Sequence, residues 1–522
     1  LVGSEMCIRD RSILCYCEVF IMSNSANLSS VISIGKDDRE VIRYPQFLKL
    51  IFFVEMWERF SYYGMRALLV LFLTTHLGFS DAKAYAIYSL FAAIGYTGPV
   101  IGGIMADKLM GFRNMVLIGG IVIIIGHICM TFVGLNTFLV YLGLALIAIG
   151  TGLFKGNITN LLGSCYKDND PNRERGFTLF YVGINLGSFF ASILCAIVAN
   201  NYGWDYGFGL AGIGMFIGLI VFTKFQHILG SSGTSPRPNL MNKKLFFGMN
   251  LFTITIAISL CLAFLVSKML ESAEFFANIL SIVGLIVFGI FAYIVIKSPS
   301  IQRQNLIALA TMIFFLMCFF GLEMQLGSLI NLFTARNIDN EVLGIMIPPS
   351  VSQAINPISI VLIGSFLGTY MKFDRKYSTL MLGLGLATLV ICFTILYIGC
   401  VTADNNGKVG YIYLVIAISF MSLGELCIAP LVQSQATMLA PPNLRGFIMG
   451  IVMLSLAFSN LAGIILSKFM SVPSVEGKVD VIESLAIYKA GFLNITFFNL
   501  GIVVVFLLCS IFLHKVLSKQ NN

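Results

Sequence analysis

Charge is scarce in this chain, and the scarcity is its first piece of information. Asp, Glu, Lys and Arg make up 11% of 522 residues, too little to clothe a water-soluble protein of that length. Histidine occurs only four times: His76, His227 and His514 lie near span ends and His127 is isolated, so carboxylates rather than imidazoles are expected to handle protons. The twelve cysteines stand singly, mostly inside apolar runs, without a CxxC pair. Neither a disulfide framework nor a zinc site is implied, and they read as packing residues. No nucleophile–base pair, phosphate loop or metal cluster is evident, so an enzyme is not expected.

Apolar residues fill the space that charge leaves. They make up 58% of the chain, and the mean hydropathy of +0.90 is that of a polytopic membrane protein. The 49 glycines fit this class, because small residues let membrane helices approach closely. The net charge of +8 does not point to nucleic acid, since the basic residues sit in short loops between spans, where they fix topology.

Fourteen spans are predicted. Six lie at about 50–77, 82–107, 114–133, 137–163, 177–200 and 206–223; two follow at 245–267 and 276–296. Six more lie at about 305–335, 342–371, 378–400, 409–440, 444–470 and 487–514. The expected fold is all-α and polytopic, with two six-helix bundles (45–223 and 305–515). Between them, a Gly-, Ser- and Pro-rich linker with two extra helices occupies 224–304. Those two spans carry almost no polar residue and read as helices packed beside the machinery. A weak echo between GGIMADKLMGFRN (102–114) and GSFLGTYMKFDRK (364–376) fits duplication. Residues 1–44 are expected to be disordered. Residues 1–21 look foreign to the chain, with Met22 as the true start; a native peptide upstream of Met22 would refute this. With the N-terminus inside, cytoplasmic segments hold about 21 Lys and Arg against about 7 outside, which places both termini, including the tail 516–522, in the cytoplasm.

The first span, LIFFVEMWERFSYYGMRALLVLFLTTHLG (50–78), breaks the rule of scarcity. Glu55, Glu58, Arg59, Tyr62, Tyr63 and Arg66 fall within roughly 140° of arc on one helix face. Each ionisable residue at bilayer depth costs on the order of 2.5–3.5 kcal/mol, so four of them must face one another across a watered, protein-lined cavity. An Arg–Glu pair that merely pins two helices explains less of the stripe. Lys155 lies deep in IAIGTGLFKGNITNLLG (147–163), too far from either end to snorkel. Tyr181 and Asn185 share a face one turn apart, Asn185 reading equally as interhelical glue, and Gly183 and Gly187 offer a small-residue contact surface. Glu425 is the lone charge of its span, near the helix-bending Pro430. Glu323, Gln325, Gln353 and Asn356 are weaker candidates, and Asp107, on the turn after the second span, reads as a gate. Acids Glu55, Glu58, Glu323 and Glu425 face bases Arg59, Arg66 and Lys155, which leaves one carboxylate without a full partner, the requirement for a proton carrier. Arg66 and Lys155 in the first half and Glu425 in the second suit a small zwitterion.

At these residues the chain resembles the proton-dependent oligopeptide transporters of the major facilitator superfamily, over roughly 45–515. EMWERFSYYGM (55–65), GGIMADK (102–108), GLFKGN (152–157), FYVGINLGS (180–188) and GELCIAP (424–430) carry the resemblance. The fourteen spans are similar to the bacterial branch, with two extra helices between the halves. The resemblance implies Glu55, Glu58, Arg59 and Lys155 in proton coupling, with Arg66 and Lys155 on the peptide carboxylate. Tyr62, Tyr63, Tyr96, Tyr181 and Asn185 would line the pocket, joined by Glu323 and Gln325, while Asn356 and Glu425 hold the peptide amine. The family's Glu-Gln pair reads Glu323-Met324-Gln325 here, displacing the acid by about 100° around a helix. Gly156 stands where a proline often follows the lysine, Ala429 where a serine precedes the later proline, and Ser89 where animal members carry a histidine.

The expectation is a symporter of di- and tripeptides in the cytoplasmic membrane, a monomer in the lipid bilayer, without cofactor and driven by the proton gradient. The residues leave open a carrier of another small solute, such as nitrate or a drug-like molecule, and a peptide sensor without net transport.

Overall fold

The computed structural model describes residues 44–518, apart from 135, 168–169, 171, 246–247, 371–376, 442–443 and 474–478. The expectations for residues 1–43, for the 371–376 part of the internal echo and for the last four residues lie outside the described residues.

Helix α1 (Gln46–Leu71) runs through a π-helical turn, Phe72–His76, to α2 (Asp81–Met105), which Ser80 caps by accepting from the Lys83 amide at 3.4 Å. A second π-helical turn, Ala106–Met110, leads to α3 (Phe112–Thr131). Between them Gly111 takes φ +76°, with linker residue Thr234 packed where a Cβ would stand. Helices α4 (Thr137–Ser164), α5 (Arg173–Tyr202) and α6 (Trp204–Phe225) complete the first bundle. Here α1 packs on α5 and α6, and α4 packs on α2 and α3. Gly183 and Gly187 form the α5 face of the α1 contact; a Cβ on Gly183 would sit 2.9 Å from the Phe52 ring.

The linker folds back on this bundle. Arg113 donates to the carbonyls of Gly230 and Ser232, both at 2.6 Å, and Ser235 donates to that of Leu109 at 2.7 Å. The two extra helices are α7 (Leu251–Glu271) and α8 (Ala273–Lys297). α7 lies on α4, while α8 lies across α2 and the second bundle.

The second bundle begins with α9 (Ser300–Glu323). The expected continuous span 305–335 is interrupted: a 3-10 turn, Met324–Gly327, precedes α10 (Leu329–Asn337). Gly327 sits where a Cβ would strike the Tyr88 hydroxyl, so the chain needs a glycine and a tight turn there. The span expected from 342 also starts late. Glu341–Val342 pairs with Ile345–Met346 in a hairpin whose turn puts Leu343 at φ +53° and Gly344 at φ +79°. The 3-10 turn Pro349–Ala354 then enters α11 (Ile355–Tyr370). α12 (Ser378–Val401), α13 (Tyr411–Leu439), α14 (Arg445–Met470) and α15 (Val481–Ser518) follow. α15 starts a turn and more before the expected 487 because the Asp480 carboxylate accepts from the amides of Ile482 and Glu483, at 2.8 and 3.1 Å.

Among the described residues thirteen helices are long and apolar enough to cross a membrane; α1, with its charges, is the fourteenth span. The bundles meet along α2 with α14 and along α5 with α11 and the 3-10 turn before it. Their polar cross-links fall in the half that carries the α1–α2 turn. Arg336 forms two hydrogen bonds to the buried Asp81 at 2.6 and 2.7 Å, and the Val472 amide donates to the same carboxylate at 3.0 Å. Asn331 and Gln353 both donate to the Ala67 carbonyl, at 2.9 and 3.3 Å. In the other half, Val100, Ile101 and Ile104 of α2 and Leu362 and Phe366 of α11 are exposed.

Candidate functional site: a charged chamber between the bundles

Helix α1 is enclosed on nearly every side, so its charges must satisfy one another. Arg59 Nε lies 3.3 Å from Glu55, one turn before it, and also pairs with Glu58. All three are 0–1% exposed. One oxygen of each acid, Oε2 of Glu55 and Oε1 of Glu58, has no hydrogen-bond partner. Two carboxylates on one guanidinium leave the trio one negative charge in excess. The Arg59 guanidinium also lies over the Tyr62 ring, 5.4 Å from its centroid.

Two turns on, Arg66 is held by neutral groups. Its Nε donates to the Tyr88 hydroxyl, its Nη2 to the Met324 carbonyl at 3.5 Å, and the Tyr63 ring lies 5.6 Å away. Tyr62 stands edge-on to Tyr63, with centroids 5.4 Å apart. Lys155 reaches the chamber because α4 touches α2 through paired glycines. A Cβ on Gly98 or Gly152 would sit 2.6 Å from the other's Cα. The Lys155 ammonium then rests over the Tyr96 ring at 4.3 Å. Gly156, where the resemblance anticipates proline, lies against Pro99; a Cβ there would be 3.2 Å from the Pro99 Cβ. Among the described residues, neither Arg66 nor Lys155 has a carboxylate within 4.0 Å.

The second bundle contributes the opposite deficit. Asn356 donates to Glu425 at 3.3 Å and to the Ser422 hydroxyl at 3.1 Å, joining α11 to α13. Among the described residues Glu425 has no cation within 4.0 Å. Glu323 is buried, and its Oε2 has no hydrogen-bond partner among the described residues. α9 ends at this residue, and the 3-10 turn replaces the helical phase on which the one-residue displacement is reckoned. Gln325 is spent inside that turn, donating to the Gly321 carbonyl at 2.9 Å and accepting from Ser328 at 2.8 Å. Tyr181 is 40% exposed, and Asn185 donates to the Tyr181 carbonyl of its own helix at 2.9 Å rather than across to another. Asp107 is exposed on the π-helical turn, apart from the chamber and without an ion pair among the described residues.

Three features of the site carry little or no signal in the sequence. Tyr88 looks like any aromatic of an apolar helix, yet it orients Arg66. Asp81 beside Ser80 reads as a helix start, and nothing in the chain joins it to Arg336, 255 residues away. Ser61 and His127 form a buried 2.7 Å hydrogen bond behind the charged face; only the isolation of His127 hints at it.

Two helical bundles around a buried chamber of opposed charges, within fourteen spans, define a multi-pass membrane carrier of the major facilitator fold. The model of the POT family matches residues 113–485, and the chain belongs to that family. It is 31% identical to dipeptide and tripeptide permease A of Salmonella typhimurium over 92% of this chain and 95% of that one. The permease of the same name from Escherichia coli is 32% identical, covering 91% and 94%. A crystal structure of a peptide transporter POT with sulfate superposes with a TM-score of 0.77 at 28% identity, covering 92% and 97%. Tetrameric PepTSo2 gives 0.78 at 27%, covering 90% and 99%.

Proposed function

We propose that this protein is a proton-coupled symporter that imports di- and tripeptides across the cytoplasmic membrane by alternating access. One observation carries the reading: among the described residues two cations with no carboxylate within 4.0 Å, Arg66 and Lys155, lie in the first bundle, and two acids with no cation within 4.0 Å, Glu323 and Glu425, lie in the second. A dipeptide supplies the missing charge at each end. Its carboxylate goes to Arg66 and Lys155, and its amine to Glu425, steadied by Asn356. Its side chains lie between, among Tyr62, Tyr63, Tyr96 and Tyr181, whose rings tolerate many shapes.

The Glu55–Glu58–Arg59 trio supplies the coupling. Its excess negative charge attracts Lys155, whose ammonium rests on the Tyr96 ring. A proton on either acid cancels that excess, and Lys155 then draws its counter-charge from the peptide carboxylate. Proton and peptide thus favour each other's binding, with the gradient as the driving force and no cofactor. In this reading 45–223 and 305–515 are the moving bundles, joined by 224–304, and Asp107 belongs to the gate at the open end. The basic loops put both termini in the cytoplasm. The Asp81–Arg336 end therefore faces outward and is shut, and the chamber opens inward. In this reading the monomer is the transport unit.

Purified protein in proteoliposomes tests this. Dialanine should evoke proton influx and be concentrated by an imposed gradient. Lys155→Ala and Glu58→Gln should abolish uphill uptake, while counterflow exchange survives Glu58→Gln. Full uphill transport by either variant, or stronger competition by nitrate or a drug-like cation than by dialanine, would overturn the assignment.

A further inference from the structure

The extra helix α8 is largely exposed, with Leu285 at 72% and Tyr293 at 62%. Its buried residues are Ala273, Ala277, Gly284 and Phe291. The last three recur every seven residues and so form one narrow seam. Each contact along the seam is close. At Gly284 a Cβ would overlap the ring of Phe458 from α14, which Phe288 also meets, with centroids 6.0 Å apart. At Ala277 three helices converge: Ala277 of α8, Ala93 of α2, and Ala457 and Leu461 of α14 form a separate small core. Tyr96, one turn beyond Ala93, packs against that core and carries the Lys155 ammonium on its ring at 4.3 Å.

A chain of contacts therefore runs from the membrane-facing helix to the chamber: Ala277, Ala93, Tyr96, Lys155. We infer that α8 positions Tyr96, through Ala277 and the Gly284–Phe458 contact, and thereby sets how strongly Lys155 binds a carboxylate. Alanine on all three helices lets them approach closely and leaves no slack for added volume. Phe458 seated at Gly284 fixes α8 against α14, so volume added at position 277 is absorbed by α2, and Tyr96 moves with it. Ala277 and Gly284 are positioning residues in this scheme; neither touches the peptide. The inference rests on the assignment of Lys155 to the peptide carboxylate.

Dialanine uptake by proteoliposomes containing the full chain is the test, with KM and maximal rate read separately. Ala277→Leu should raise KM about fivefold, the weight of one partly desolvated cation–π contact, with the maximal rate within about twofold. In a Tyr96→Ala background the same change should add less than about twofold, because its route to Lys155 is already cut. Phe458→Leu loosens the same junction without overpacking it, so it keeps the test alive if Ala277→Leu is not recovered from membranes. It should raise KM in the same direction and lose its effect in Tyr96→Ala. Leu285→Ala, on the exposed face, should change neither parameter. Unchanged KM in Ala277→Leu and Phe458→Leu, or losses that simply add to that of Tyr96→Ala, would overturn the inference. Failure of the wild type to take up dialanine would instead remove the peptide reading beneath it.

Discussion

The two bundles hold their buried acids in opposite ways. In the first, Glu55, Glu58 and Arg59 sit within two turns of one helix, pair with one another and are 0–1% exposed. In the second, Glu323 and Glu425 come from different helices and have no cation within 4.0 Å among the described residues, and Glu425 accepts from the amide of Asn356. Acids that must stay in the membrane through every state share a guanidinium on their own helix, where no movement between bundles can separate them. Charges meant for a visitor, Arg66 and Lys155 on the first bundle and Glu323 and Glu425 on the second, have no ion-pair partner among the described residues.

That contrast predicts different costs when it is disturbed. Arg59→Met should be the most damaging change, because it leaves two adjacent carboxylates buried without a counter-charge. Removing one partner of a buried ion pair costs about 3–5 kcal/mol. Thermal unfolding in detergent should show a large loss of stability for Arg59→Met and almost none for Glu425→Gln, which removes a charge already unpaired. Equal losses would mean that both bundles hold their charges alike, and the contrast would fail.

Asp81→Asn comes next. Its carboxylate accepts from Arg336 twice and from the Val472 amide, tying α2 to α10 and to the start of the α14–α15 connection. Hydrogen bonds to charged groups contribute about 1.5–3 kcal/mol, and their loss should shift the closed end toward open tenfold or more. A cysteine placed at Ala84, fully buried beneath the latch, should then react at least several-fold faster with an impermeant maleimide in Asp81→Asn than in the parent. Equal rates would show that the Ala67 carbonyl contacts, not the ion pair, keep that end shut.

The charged stripe of α1, the depth of Lys155 and the isolation of Glu425 were legible in the sequence because a charge inside an apolar run has a cost that demands a reason. Helix number was legible for the same reason, since the hydrophobic thickness sets the length of each span. What the sequence did not disclose is where helices break and which distant residues meet. The apolar run EVLGIMIPP (341–349) has the composition of a membrane helix, yet Gly344 and the two prolines turn it into a hairpin. Glu323–Gly327 reads as continuous helix, and only the Tyr88 hydroxyl packed on Gly327 explains the 3-10 turn. Likewise, Asp81 and Arg336 each have an ordinary local reading, as a helix start and as an interfacial anchor, and only the packing of the bundles pairs them.

The smallest expected effect tests the contrast most finely, because it asks whether Glu425 is held ready for an amine or merely joins two helices. Asn356 bonds both to Glu425 and to Ser422, so both roles are present in one side chain. Asn356→Ala removes one neutral donor from the carboxylate, about 1 kcal/mol of net interaction, equivalent to roughly fivefold in affinity. If the amide orients Glu425 toward the peptide amine, the preference for dialanine over its N-acetyl form should shrink by about that factor. Ser422→Ala, which cuts the helix contact but leaves the bond to Glu425, should keep the preference intact. A parallel loss for both peptides in both variants would make Asn356 a helix tie, and the amine would then be held by Glu425 without help.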